Sequence, residues 1–335
     1  MVFFSYKYFM PVTIIFYGLT RSLKKTIKSL KKNIFKPLND ENIPFQIYIH
    51  TYDLNELTNE RSGENKAKLD HNSDLNLLKS VTKEIGKNLT IKVTNQENFL
   101  NSIRIEDYIS HGDPWGHTNE TVQYKSLRNL LCQLNSLRII SEIAIKRQDD
   151  AYLFIRPDLL YVDKLDIEII KTCEQFPIRN NKKKAGIVFT PPWAKNGGLN
   201  DRIACCSFES AKLYGLRFNN SQKYSQKKTL HSETYLDSTL YYVKRQRFFM
   251  RALRIRANGN ISPDIPKFSN IEKQKELERN IADLLEREKK DLPRELILNI
   301  CEYVDFRCYL CNKVLYPWKM IGYSGLYLCS NECYA

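Results

Sequence analysis

An α/β fold built on a parallel sheet is what this sequence predicts, and three observations carry the prediction. Residues 12–17 (VTIIFY) form an apolar run of strand length. From Ser22 the pattern Leu23, Ile27, Leu30, Ile34 takes helical spacing, with lysines on the opposite face. "FQIYIHTYD" (45–53) then supplies a second strand, and "LTIKVTN" (89–95) has the composition of a third. Strands joined through a helix run parallel, because the crossover returns the chain to the same end of the sheet.

The remaining elements follow from the same periodicities. Gly18, Leu19, Thr20 and Arg21 make the turn between the first strand and helix, and 54–88 reads as loop with some helix. "SHGDPWGHTN" (110–119) is a turn-rich loop. Thr121 to Arg147 forms a long amphipathic helix with Leu127, Leu130, Leu131, Leu134 and Leu137 on one side. Ala151 to Ile155 is a buried strand, as is "AGIVFTPPW" (185–193), closed by two prolines. "KNGGLNDRIACCS" is a glycine-containing loop with a short apolar run. "SFESAKLYGLR" and "HSETYLDSTLYYVKRQ" read as helices, and "FMRALRIRANG" as a strand ending in a turn. The highly charged stretch 271–290 carries only a thin apolar stripe and reads as a connecting helix. The expected division is a main domain over 1–265, a helical linker over 266–290 and a small module over 291–335.

Composition bounds the function. A chain of 335 residues with 42% hydrophobic and 12% aromatic residues has the apolar mass for a sizeable core, which excludes a wholly disordered protein. The net charge of +14 suits an anionic partner, although lysine is spread along the whole sequence and a general Lys, Asn and Ile bias accounts for the total. Lys7 and Pro11 interrupt the hydrophobic start, leaving no continuous apolar span of membrane length, so no transmembrane segment is expected. Of nine cysteines, Cys132, Cys173, Cys205, Cys206 and Cys301 show no disulfide framework. Free thiols beside a metal-like cluster fit a reducing compartment, and a cytoplasmic setting is expected.

"YLFIRPDLLY" (152–161) raises the question of chemistry, because Arg156, Pro157 and Asp158 interrupt an apolar run. Pro157 cannot donate to a strand ladder, so the triplet sits where a strand leaves the sheet. Open α/β sheets bind ligands at the carboxyl ends of their strands. Asp158 is placed there to ligate a divalent cation or accept a hydroxyl hydrogen bond, and Arg156 to pair with Asp158 or with phosphate oxygens. An Arg–Asp pair that only tidies the strand end is the competing reading. In "GGLNDR" (197–202), Gly197 and Gly198 permit close backbone approach to a ligand, and Asn200, Asp201 and Arg202 offer hydrogen-bonding groups beside it. A turn held by an Asn side chain explains the same residues. His231 and Glu233 open a helix and include a candidate general base, against plain capping by Ser232.

In order, "FYGLTRSLKKTIKSLKKNIFKPL", "FQIYIHTYDL", "NLLCQLNSLRIISEI", "YLFIRPDLLYVDKLD", "GGLNDRIACCSFESAKLYGLR", "HSETYLDSTL" and "RALRIRANG" resemble the nucleotide-diphospho-sugar transferase (GT-A type) glycosyltransferase-like proteins of large DNA viruses and of some plants and microbes. The resemblance covers roughly residues 11 to 260. It implies a GT-A-like, Rossmann-type, mostly parallel sheet flanked by helices. It further implies that Gly18, Thr20, Arg21, Arg156, Asn200, Asp201 and Arg202 contact a nucleotide-sugar, the last three through sugar hydroxyls, with Asp158 catalytic; Glu233, the candidate general base, is the second catalytic residue expected. Asp158 would bridge Mn²⁺ or Mg²⁺ to the diphosphate. Arg156 stands where the usual Asp-x-Asp pair has its first acid, so a guanidinium supplies positive charge at that point. A viral origin would place the protein in the host cytoplasm or the virion.

Near the C-terminus, Cys308-x2-Cys311, 17 intervening residues and Cys329-x3-Cys333 have the paired spacing of a tetrahedral structural zinc site. "YLCSNEC" is similar to FCS-like and MYM-like zinc fingers, and "LPRELILNICEYV" (292–304) resembles the first helix of an F-box, or is a Pro-started amphipathic helix. A module of this size docks a protein partner, while nucleic acid is not expected. The sequence reading is thus a glycosyltransferase that moves sugar from a nucleoside-diphosphate donor to a hydroxyl on glycan or protein. The other reading is a non-catalytic interaction protein, a degenerate transferase domain whose zinc module and basic surface bind a partner or nucleic acid.

Overall fold

The computed structural model describes residues 11–59, 63–115, 124–176 and 186–262, together with two short strands, Ile321–Tyr323 and Leu326–Leu328, that pair as an antiparallel hairpin. The zinc cysteines, the linker helix and the F-box-like helix of the sequence reading lie outside the described residues. Among the described residues no helix is long and apolar enough to cross a membrane.

The chain opens with β1 (Val12–Tyr17), α1 (Leu23–Leu30), a π-turn over Lys31–Phe35 and α2 (Lys36–Asp40), then β2 (Phe45–Asp53). A hairpin of β3 (Glu56–Asn59) and β4 (Glu64–Lys68) precedes α3 (His71–Glu84), β5 (Leu89–Asn95) and α4 (Gln96–Asn101). The long helix α5 (Lys125–Ala144) ends in a 3₁₀ turn and leads into β6 (Ala151–Ile155), β7 (Leu159–Tyr161) and α6 (Ile167–Glu174). The remainder comprises β8 (Ile187–Thr190), β9 (Ile203–Ser207), α7 (Phe208–Gly215), α8 (Ser221–Ser225), α9 (Ser232–Thr239), β10 (Lys244–Arg247) and β11 (Ala252–Arg254).

Seven strands form one sheet in the order β10-β8-β9-β6-β1-β2-β5. All neighbours pair in parallel except at β9, which runs antiparallel to both β6 and β8. The expected mostly parallel α/β fold is the observed one. Alternation along the central strands divides the core into two layers. Val12, Ile14 and Phe16 of β1 pack with Leu23, Ile27 and Leu30 of α1 on one face. Ile15 and Tyr17 pack with Leu137 and Ile140 of α5 and Tyr214 of α7 on the other. These central strands carry apolar side chains on both faces because helices cover both.

Two local expectations are corrected, and one strand is added. The 54–88 segment holds the β3–β4 hairpin besides helix α3. "HSETYLDSTLYYVKRQ" is helical only to Thr239, and Lys244–Arg247 instead extends the sheet edge beside β8, where backbone pairing outweighs the polar composition. After Arg156-Pro157-Asp158 the chain enters a second strand, β7, which pairs antiparallel with β11 in a separate two-stranded sheet.

Candidate active site

The sheet's topology creates one crevice. From β1 the chain winds outward to β2 and β5 on one side, while β6 lies on β1's other side. Such a reversal of winding leaves an opening beyond the carboxyl ends of the two central strands. Gly18 and Arg21 follow β1, and Arg156 follows β6. Because β9 is antiparallel, its entrance rather than its exit faces the same edge: Ile203 pairs with Ile155. That register brings Asp201 and Arg202, which precede β9, beside Arg156. The resulting cleft has a volume of about 240 Å³. Gly18 and Arg21, Gln133 of α5, Arg156, the Asp201–Arg202 pair, Asn196, the start of α9 (His231, Ser232, Glu233), and Arg254 and Arg256 all line it.

Gly18 has φ +92°, a conformation that disfavours any side chain. Its N–H donates to Ser136 Oγ at 2.8 Å, and Ser136 Oγ shares a 2.7 Å hydrogen bond with His50 Nδ1. Burial, helped by Lys92 and Arg138, pushes the His50 pKa down to about 3, so the ring stays neutral and this support does not titrate near neutrality.

Asp158 is fully buried and does not line the cleft. Arg156 grips it with two bonds, Nε to Oδ1 at 2.8 Å and an Nη to Oδ2 at 2.7 Å. Arg21 donates to Oδ2 at 2.8 and 3.2 Å and reaches Glu64 at 3.2 Å. Burial alone would raise the Asp158 pKa, but Arg156 and Arg21 hold it well below the usual carboxylate range. The sequence reading put Asp158 in the crevice; the structure puts its two arginine partners there and the carboxylate behind them. Glu64, from β4, is likewise fully buried and also accepts from the Ala257 N–H at 2.8 Å.

The "GGLNDR" loop divides in the same way. Asn200 is buried as a turn-holder: its Nδ2 donates to the Trp193 carbonyl at 2.8 Å, and its Oδ1 accepts from the Arg202 N–H at 2.9 Å. Thr20 is buried too, with its side chain on Asp74, and neither residue lines the cleft. A Cβ on Gly198 would lie 2.0 Å from the Glu233 carbonyl oxygen. The close approach that requires this glycine is therefore to the protein's own helix α9. Leu199 N–H donates to that same oxygen at 3.1 Å, tying the loop to the start of the helix.

Asp201 and Glu233 share the far wall. Asp201 Oδ2 accepts from Gln133 Nε2 at 2.9 Å and from the Ser232 hydroxyl, and Arg156 donates in turn to Gln133. Tyr17 at the end of β1 donates to the Asp201 carbonyl at 2.5 Å. Burial raises the Asp201 pKa, but Arg202, Ser232 and Arg156 outweigh it, and the net shift is downward. Glu233 behaves oppositely. Burial first, and then the Asp201 charge, push its pKa up from 4.5 to about 7, although Asn196 donates to Oε1 at 2.8 Å. The two neighbouring carboxyls are thus driven in opposite directions, Asp201 held as an anion and Glu233 towards its protonated form.

The donor set does not fit a resident divalent cation. Among the described residues no group of three or more His, Cys, Asp or Glu side chains is arranged to hold a metal ion. Guanidinium N–H bonds from Arg21 and Arg156 already occupy both oxygens of Asp158, and two donors hold one oxygen of Asp201. Arg254, Arg256, Glu64 and Gln133 escaped the sequence reading. A signal existed for the two arginines: in "RALRIRANG" they are two residues apart, and an extended chain turns such residues to one side.

No protein-family model matches this sequence, and no curated protein matches it. Among solved structures the chain is similar to the galactosyltransferase LgtC in complex with donor and acceptor sugar analogs, at 10% identity and TM-score 0.36, covering 70% of this chain and 73% of that one. It is also similar to mouse xyloside xylosyltransferase 1 (8%, TM-score 0.36, 71% and 84%) and to the glycosyltransferase GlyE of Streptococcus pneumoniae (12%, TM-score 0.33, 70% and 44%). At these values the cleft's own chemistry has to carry any reading of function.

Proposed function

We propose that this cleft transfers a sugar from a nucleoside-diphosphate donor to an acceptor hydroxyl. The observation that carries the reading is Glu233, a buried carboxyl with its pKa near 7, set in the same cleft as a cluster of arginines. A base poised near neutrality accepts the acceptor's proton efficiently. Guanidiniums fixed in a largely water-excluded wall stabilise negative charge as a diphosphate departs. In the step, the acceptor oxygen bonds to the anomeric carbon, the bond from that carbon to the phosphate oxygen breaks, and the hydroxyl proton passes to Glu233. The nucleoside diphosphate leaves with the electron pair of the broken bond.

Each residue has its part in this scheme. Gly18 brings bare backbone to the donor, and Arg21 and Arg156 face the diphosphate. Asp201 and Arg202 offer hydrogen bonds to the sugar. Asp158 acts as a positioning residue, holding both Arg21 and Arg156 in place rather than touching the donor. The C-terminal Cys308, Cys311, Cys329 and Cys333 hold a structural zinc ion in a small partner-docking module, a reading supported by their spacing. A thermal-shift screen of the full chain against nucleotide-sugars tests the donor reading. At least one should raise the melting temperature, and the absence of any shift across the set would remove the reading's support.

A further inference from the structure

Charge in the cleft is unevenly supplied. Arg21, Arg156, Arg202, Arg254 and Arg256 line it. Against them stand Asp201 and Glu233 in the wall and Asp158 and Glu64 behind it, and Glu233 keeps its proton up to about pH 7. Five guanidiniums therefore face three to four negative charges. Burial and then the neighbouring Arg202, Arg256 and Arg156 depress the proton affinity of Arg254; burial and Arg21 bring Arg256 down to about 10. Like charges held this close in a partly dry wall are relieved by an incoming anion.

Two of the four acids, Asp158 and Glu64, are committed elsewhere. In a cation-dependent site, carboxylate oxygens must be open to the metal. Here the Asp158 oxygens are spent on Arg156 and Arg21, so ligation would require a buried guanidinium to be released. Glu64 is turned to Arg21, Arg256 and the Ala257 N–H, with Arg256 at 3.9 Å. Arg256 and Arg21 thus converge on one carboxylate from two parts of the chain, placing both guanidiniums beside the crevice of β1 and β6.

Resting on the donor reading above, we propose that this cleft holds the donor's diphosphate through arginine side chains alone, Arg254 and Arg256 among them, with no divalent cation. Arginine suits this because its planar fork binds phosphate oxygens two at a time.

The test is calorimetric titration of the full chain with nucleoside diphosphates (UDP, GDP, ADP, CDP) and with inorganic pyrophosphate, in excess EDTA and again with Mn²⁺. At least one nucleoside diphosphate should bind in EDTA with a Kd within about threefold of its value in Mn²⁺. Arg254→Gln and Arg256→Gln should each weaken it about tenfold or more, as expected for a lost charge-assisted hydrogen bond. Arg256→Lys, which keeps the charge but not the fork, serves as the milder variant should the others fail to fold. Binding that needs Mn²⁺ would overturn the proposal and leave the donor reading standing. Binding in EDTA that none of these variants weakens would also overturn it. Binding of no probe in either buffer would remove the donor reading, and this proposal with it.

Discussion

Replacing Glu233 by Gln should make the protein more stable and less active, and both effects depend on pH in a set direction. The carboxyl is buried, faces Asp201, Arg202 and His231, and has its pKa raised from 4.5 to about 7. The folded state therefore holds this proton more tightly than the unfolded chain does. Below pH 4.5 both states are protonated and the carboxyl costs nothing. As pH rises towards 7 the folded state resists ionisation, and above 7 the whole penalty applies. A shift of this size corresponds to about 3 kcal/mol, at about 1.4 kcal/mol per unit. Gln keeps an oxygen for the Asn196 donor and carries no charge, so it escapes the penalty. Melting curves of both proteins across this range should diverge as pH rises, with E233Q higher by roughly 5 °C above pH 7. Turnover should fall about 10²- to 10⁴-fold, and the wild type's rise in rate through pH 7 should vanish. A melting difference that stays constant with pH would show that Glu233 titrates normally, and its role as a base would lose its physical basis.

Other perturbations probe the supports of the site. Asp158→Asn leaves the Arg21 and Arg156 guanidiniums buried without their carboxylate and should cost about 3 kcal/mol or more in denaturant unfolding, together with donor binding; unchanged stability would contradict the pairing. Gly198→Ala forces a methyl into the Glu233 carbonyl, so it should lower the melting temperature and the rate together, and normal kinetics would show that the loop does not position α9. Metal analysis of the full chain should find one zinc per molecule, lost together with Cys308→Ser, and a metal-free preparation would dismiss the four-cysteine zinc reading.

Much of the fold was legible because strand length, helical spacing and the order of elements are local properties. The apolar runs at 12–17, 45–53 and 151–155 became neighbouring parallel strands, as their composition and connections require. The antiparallel course of β9 is not a local property, yet it is what brings Asp201 to Arg156. Lys244–Arg247 was illegible for a related reason, since a sheet edge can recruit polar residues through backbone bonds alone. The site was legible in its residue types more than in their roles. Arg156 and Asp158 were singled out by the interruption of an apolar run, but only the fold shows that the arginine faces the cleft while the acid holds it. Gly198 was identified as a close-approach residue, and the backbone it approaches proved to be Glu233's. Glu64 carried no local signal; it joins the site only because the β3–β4 hairpin folds over Arg21.

The central claim is that Glu233 and the arginine wall together move sugar off a nucleoside diphosphate. Its most direct test is the release of free nucleoside diphosphate from a panel of nucleotide-sugars by the wild-type chain and by E233Q, with simple sugars offered as acceptors. The account predicts release from at least one donor by the wild type, suppressed at least about a hundredfold in E233Q. No release from any donor, or equal release by both proteins, would contradict it.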